Sequence, residues 1–408
     1  MNVLLCPFSS PGYVYPAIAI GLELRRRGHR VTLTGETAVM SLATASELSF
    51  APAEHYGPRG TFWVGHWTAR GYDQYRAVIR AAADADADIL VTSVLCHGAL
   101  LAAEVLDLPV VVIGFAAWLW EYRSGGAGEP DLPARIWRTR DILRYYTTTR
   151  AQAGLRPRGG FPLLGQAFLL RGDPALEYPG AELPVNVHHC GPCTWEPRPD
   201  PAELSEVTGH LDRAGLPVVY VHLGRVFGGT SPWPMLNAAF TGTGFQAVVE
   251  LGRTTGARPA PGAYLHLVRQ PWMGPLIERS GLVLTSGTTS PVLNALRHGR
   301  PLAVSPAGSE QPVLAAACAR AGVAVYLHAE DVPRSPGTLR AAWRDHGLRT
   351  QAAVLGDRLA RADGSSRAAD IIESVAAPTA PAGPAGPAGS RSKSAGSRSK
   401  SAAASSHA

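Results

Sequence analysis

Twice between Leu282 and Leu327, a short apolar run breaks into small or hydroxyl-bearing residues and gives way at once to an apolar repeat of helical period. Leu282–Leu284 runs into Thr285-Ser286-Gly287-Thr288-Thr289-Ser290, after which Val292, Leu293 and Leu296 recur at helix spacing. Pro301–Ser305 repeats the pattern and ends in Glu310-Gln311 before another helix. Strands that feed directly into helices in this way build layered α/β folds with a parallel sheet. The first turn opens a helix whose leading N–H groups lack intrahelical partners, and the helix dipole adds partial positive charge there. A diphosphate is therefore favoured at Ser286, Gly287, Thr288 and Thr289 without a charged side chain. At the second turn a carboxylate beside an amide suits the paired hydroxyls of a hexose, since one accepts and the other both donates and accepts.

The same alternation runs through the chain. Val3–Leu5, a turn at Ser9-Ser10-Pro11-Gly12, a helix over Ala17–Leu24 and a strand at Val31–Leu33 form a βαβ unit. Ile89–Val91, a helix around Ala99–Val105 and Val110–Ile113 continue it. The pattern restarts at Val218–Val221 and passes through Ala247–Val249, Leu265–Val268, Leu282–Leu284 and Leu302–Val304. Two Rossmann-like, doubly wound domains facing across a cleft are expected: 1–190, a linker over 191–205, and 206–376, with a last helix near Leu355–Val375 that crosses back. Residues 377–408, with Pro-Ala-Gly and Ser/Arg/Lys repeats and almost nothing large and apolar, read as a disordered basic tail.

The net charge of +6 draws on Arg391, Lys393, Arg398 and Lys400 of that tail, which leaves 34 basic against 32 acidic residues elsewhere. A nearly neutral body argues against nucleic acid as a partner. No apolar run approaches the roughly 20 residues that span a bilayer, no leader pattern precedes the first strand, and five scattered cysteines fit a reduced cytoplasm. Cys190-Gly191-Pro192-Cys193 matches the tetrapeptide of thiol redox proteins. Two prolines soon after it oppose the helix that a reactive cysteine needs, so it reads as part of the linker.

Gly287 and Glu310-Gln311, at the spacing described, resemble the donor-binding signature of the UDP-glycosyltransferases, whose fold is GT-B. Ser286 stands at that family's phosphate-binding His, Thr288 at its second Gly, and Asn294 at its ribose-binding acid. Gly224 and Arg225 occupy the phosphate-contacting Gly-Ser, Arg225 offering a bidentate guanidinium. Trp272 falls in the segment that packs on the nucleotide base, and Gly191–Pro197 is similar to the family's linker. In the first half, Gly12-Tyr13-Val14-Tyr15-Pro16 lies at Gly-His-Val-Asn-Pro, so Tyr13 holds the place of the general base and Ser93 lies near that of its orienting Asp. His97, after the strand Ile89–Val91, is the alternative base. Trp63, Trp67 and Trp118, in two aromatic-rich stretches, are candidates to line an acceptor pocket.

The resemblance implies an inverting, metal-independent transfer of a sugar from a UDP- or dTDP-sugar to a small natural-product aglycone, with no cofactor beyond the nucleotide sugar. Tyr13 or His97 would handle the acceptor, or the acceptor would need little deprotonation. The rival expectation is a catalytically degenerate GT-B protein that partners or activates another glycosyltransferase. A homodimer or an auxiliary protein remains open.

Overall fold

Each sheet of the computed structural model is parallel throughout, as runs of buried β-branched and leucine residues demand when helices cover both faces. The structure describes residues 1–7, 10–53, 70–118, 132–159, 162–177, 181–222, 231–252, 254, 256–308 and 310–377, with the backbone path alone over 132–141. The first sheet holds β1 (Asn2–Cys6), β2 (Arg30–Gly35), β3 (Ser49–Pro52), β4 (Ile89–Ser93), β5 (Val110–Ile113), β6 (Ala167–Leu170) and β7 (Val187–His189), in the order β3-β2-β1-β4-β5-β6-β7. The second holds β8 (Val218–His222), β9 (Gln246–Glu250), β10 (Leu265–Val268), β11 (Leu282–Thr285), β12 (Leu302–Val304) and β13 (Ala324–Tyr326), in the order β10-β9-β8-β11-β12-β13. Strand order reverses between β1 and β4 and again between β8 and β11. These switch points leave crevices at the carboxyl ends, where ligands of such sheets bind.

Helices α1 (Pro11–Arg26), α2 (Met40–Ser46), α3 (Gly71–Asp84), α4 (His97–Leu106) and α5 (Leu132–Gln152) accompany the first sheet. With the second come α6 (Pro201–Ala214), α7 (Trp233–Phe240), α8 (Gly274–Glu278), α9 (Thr289–Arg297), α10 (Gln311–Arg320), α11 (Ser335–Arg344) and α12 (His346–Arg361). The chain enters α6 through an Asp200 cap that accepts from Ala202 N and Glu203 N, and leaves it through Gly215 at φ +61°.

The single closing helix expected near Leu355–Val375 is two helices. Ala362 turns extended after α12, and α13 (Gly364–Ala376) begins afresh. The break is where the chain returns to the first sheet: Ala368, Ala369 and Ile372 of α13 are buried in one apolar cluster with Val3, Leu5, Ile18 and Leu24. Gly364 passes the linker so closely that a Cβ would overlap Pro192 O. Outbound linker and returning chain thus cross at one point.

The linker is anchored on the second sheet's side, where the Glu196 carboxylate accepts from Met273 N (2.8 Å) and Gly274 N (3.0 Å) at the start of α8. Cys190 and Cys193 are buried free thiols with their Sγ atoms 4.0 Å apart. The hydrogen bond to Cys190, together with burial, raises Cys193 well above the ordinary thiol range, so it stays protonated. Among the described residues no helix is long and apolar enough to cross a membrane.

Candidate functional site

The carboxyl end of the second sheet gathers polar atoms that no described residue meets. β11 ends in Thr285, and the chain turns through Ser286 and Gly287 into α9. Gly287 has φ +86°, and a Cβ there would press to 3.1 Å from Gln311 O. Only glycine fits this turn without strain. Ser286 and Thr289 are buried, yet Ser286 Oγ and Thr288 Oγ1 have no hydrogen-bond partner. Thr288 occupies the N-cap of α9 without a side-chain cap bond, so the N–H groups of the first turn are left for a ligand. Opposite, Gln311 is fully buried at the start of α10. Its Oε1 accepts from Ala307 N (2.9 Å) and Gly308 N (3.3 Å), which fixes the β12–α10 loop, while Nε2 is buried without a partner. Glu310, 8% exposed, lies beside it. His222 closes β8 in register with Thr285, and its Nδ1 also lacks a partner. Burial draws its imidazole down to about 4, so it is neutral near pH 7.

The first sheet brings its own carboxyl end to the same place. Gly12 opens α1 with Ser290 Oγ 3.7 Å from where its Cβ would stand, and Thr289 Oγ1 accepts from Ala116 N at 3.3 Å. Tyr15 donates its phenol to Pro271 O at 3.0 Å. Half-buried Tyr13 stands edge-on to Phe115, ring centroids 6.2 Å apart. Beyond the ends of β1 and β2, a largely apolar pocket is lined by Cys6, Thr34, Ala53, Arg70, Gln74 and Cys96, among others. One strand-end site is thus polar with unmet donors, on the second sheet, and one is apolar, on the first.

No family model matches the chain. It is 27% identical, over 92% of its length and 99% of the relative's, to 4'-demethylrebeccamycin synthase of Lentzea aerocolonigenes. It is 24% identical, over 88% and 94%, to zeaxanthin glucosyltransferase of Pseudescherichia vulneris. The structure of the glycotransferase of kitacinnamycin superposes with a TM-score of 0.71 at 18% identity, over 91% of this chain and 98% of that one. The chain has the GT-B fold, and the sequence relatives it resembles over most of its length are named as glycosyl-transferring or synthase enzymes.

In this fold the expected donor residues Ser286, Gly287, Thr288, Thr289, Glu310 and Gln311 lie at the two adjacent strand-to-helix turns of the second sheet, with half-buried Asn294 one turn further along α9. Trp272 departs from expectation: the indole is 2% exposed and belongs to the second sheet's apolar core, because Glu196 draws the following loop against the linker. No open face remains to stack on a base. Trp118 departs likewise, packed edge-on against Phe168 (5.6 Å) at 2% exposure. Ser93 is buried at the end of β4. His97 starts α4 but faces inward, 1% exposed, with Nε2 3.1 Å from Thr149 Oγ1 and its ring edge-on to Tyr146. It packs among α3, α4 and α5, and a Cβ on Gly71 would overlap its Nε2. Gly224, Arg225, Trp63 and Trp67 lie outside the described residues. Two polar residues at strand ends escape a reading of motifs: His222, closing an apolar strand, and Arg171, just after β6. A polar residue closing a buried strand is the signal that finds both.

Proposed function

We propose that this protein moves a hexosyl or deoxyhexosyl group from a UDP- or dTDP-sugar to a small natural-product acceptor, inverting the anomeric centre in one displacement without a metal ion. The observation that carries this reading is the trio of partnerless buried atoms Ser286 Oγ, Thr288 Oγ1 and Gln311 Nε2. Left unmet, each costs roughly 1–3 kcal/mol. A diphosphate offers acceptor oxygens to the two hydroxyls and to the uncapped start of α9. A sugar hydroxyl offers one to Gln311 Nε2, and the carboxylate of Glu310 accepts from another. The same N–H groups then stabilise the charge that develops on the departing diphosphate. The apolar lining of the pocket beside β1 and β2 suits part of a lipophilic acceptor.

Titration calorimetry with UDP and with dTDP tests the donor site. Submillimolar binding is expected, with a loss of about tenfold or more in Gln311→Leu or Ser286→Val. Heat from neither nucleotide overturns the reading. The non-catalytic alternative draws on Tyr13 at the place of the family's base. Nucleotide binding without sugar transfer to any of a panel of phenolic and heteroaromatic acceptors favours it.

A further inference from the structure

Arg171 is a buried cation with no counter-ion. Its side chain is 3% exposed, and no carboxylate of the described residues lies within 4.0 Å of it. Its Nε donates to Gly114 O at 2.9 Å and its backbone N to Phe115 O at 2.8 Å, but the two terminal nitrogens have no hydrogen-bond partner among the described residues. Isolating a guanidinium in this way costs several kcal/mol unless an anion offsets it. Burial lowers its pKa, while Cys193, Cys190, Tyr13 and Glu310, the titratable groups that face it, act the other way.

Of those four, Cys193 is held neutral by its neighbour and by burial. Glu310 stands on the second sheet, beyond ion-pair distance. Tyr13 packs on the same Gly114–Phe115 segment, edge-on to the Phe115 ring at 6.2 Å between centroids. That segment continues into Ala116, whose N–H reaches Thr289 at the diphosphate end. The segment 114–116 is thus touched by Arg171, by the Tyr13 ring and by Thr289 of the donor turn.

We propose that Arg171 is a positioning residue for the transfer reaction, its guanidinium favouring negative charge on the Tyr13 oxygen so that Tyr13 takes the acceptor's proton. This rests on the transferase reading above. In the step, the acceptor heteroatom bonds to the anomeric carbon and the bond from that carbon to the diphosphate oxygen breaks, its electron pair leaving with the diphosphate. The acceptor's proton passes to the Tyr13 oxygen. An unaided phenol, with a pKa near 10, is a poor base at neutral pH, and a buried cation is the physical means of changing that.

Ultraviolet titration of tyrosinate in the full-length protein, taken as the difference from Tyr13→Phe, tests this without substrate. The Tyr13 midpoint is expected to rise by about one pH unit or more in Arg171→Met and to return part of the way in Arg171→Lys, which keeps the charge. Turnover of Arg171→Met should fall on the order of a hundredfold at pH 7 and recover as pH rises, a recovery that a merely structural role would not give. An equal midpoint in parent, Met and Lys proteins overturns the proposal, and the Lys variant carries the test if the Met variant does not fold. Because the titration needs no nucleotide, failure of the coupling and failure of UDP or dTDP to bind are separate results.

Discussion

His97 is buried among Gly71, Thr149 and Tyr146, and burial draws its imidazole from the ordinary 6.5 to about 4. In the unfolded chain it regains its usual affinity for a proton. Between the two values the unfolded state binds more protons, so His97's contribution is complete above 6.5 and is lost as pH falls towards 4. The shift corresponds to about 3 kcal/mol across that window, and His222 titrates alongside it. Denaturant unfolding from pH 7 to pH 4.5 should show the decline, with His97→Gln lowering its slope by about one proton. An unchanged slope would mean that the folded protein tolerates a charged His97. The turns that carry the proposed donor residues were legible because their geometry is local: a Ser-Gly-Thr-Thr turn at a helix start and a Glu-Gln pair before the next helix are set by the sequence itself. Trp272, Trp118 and His97 were not, since whether an aromatic ring faces a ligand or a core depends on partners such as Glu196, Phe168 and Thr149, distant in the chain. Arg171 was hidden for the same reason, as an arginine after a strand looks solvated until the packing around it is known.

Nine of the strands announced themselves as apolar runs, because parallel strands covered on both faces carry little else. Those that did not are short or mixed: β3 is Ser-Phe-Ala-Pro on a half-exposed edge, β7 ends in two histidines, and β13 is three residues long. β6, Ala-Phe-Leu-Leu, is fully buried and lay unread between glycine-flanked loops. The return of α13 was foreseen in outline, but not what fastens it. Arg27 at the end of α1 reaches Glu23 (2.8 Å), Asp370 (2.6 Å), Glu373 (2.8 Å) and the Ser366 carbonyl (2.9 Å), and His29 Nε2 lies 2.7 Å from Glu373. Arg26 and then Arg27 hold Glu23 at about 2, and His29 followed by Arg27 holds Glu373 below the usual carboxylate range. Because both are lowered, their stabilisation is present above the ordinary carboxylate pKa and is lost as pH falls below it. Asp370 is 65% exposed and adds little. Arg27→Gln should therefore loosen α13 by about 1–2 kcal/mol at pH 7. Amide exchange over 364–376 should quicken, and the acid dependence of that exchange should flatten. Unaltered exchange would mean that Ala368, Ala369 and Ile372 alone hold the helix.

The chain passes between its two sheets twice, and both passes meet at Gly191-Pro192 and Ala362–Gly364. Gly191 adopts φ +93°, with a Cβ placed only 2.9 Å from that of Ala362, and a Cβ on Gly364 would lie 2.6 Å from Gly191 O besides overlapping Pro192 O. Neither pass can move without displacing the other. The proposed acceptor side with Tyr13 and Arg171 belongs to the first sheet and the proposed donor turns with Ser286 and Gln311 to the second, so on that reading this crossing helps set the distance over which the reaction occurs. Gly364→Ala should cost about 1–3 kcal/mol in stability, the range for forcing extra volume into a packed site. Gly337→Ala, in α11 with open space around it, should be neutral or raise stability by about 0.5–1 kcal/mol. The functional consequence is more specific than the loss of stability. A displacement of about 1 Å between reacting groups can cost on the order of a hundredfold in rate, whereas the donor turns are built within the second sheet and keep their form. Gly364→Ala is therefore expected to lower kcat while leaving the Kd for UDP or dTDP unchanged, measured by steady-state turnover and calorimetry on the same preparation. If Kd worsened in step with kcat, the crossing would be supporting the donor turns themselves rather than the register between the two sheets.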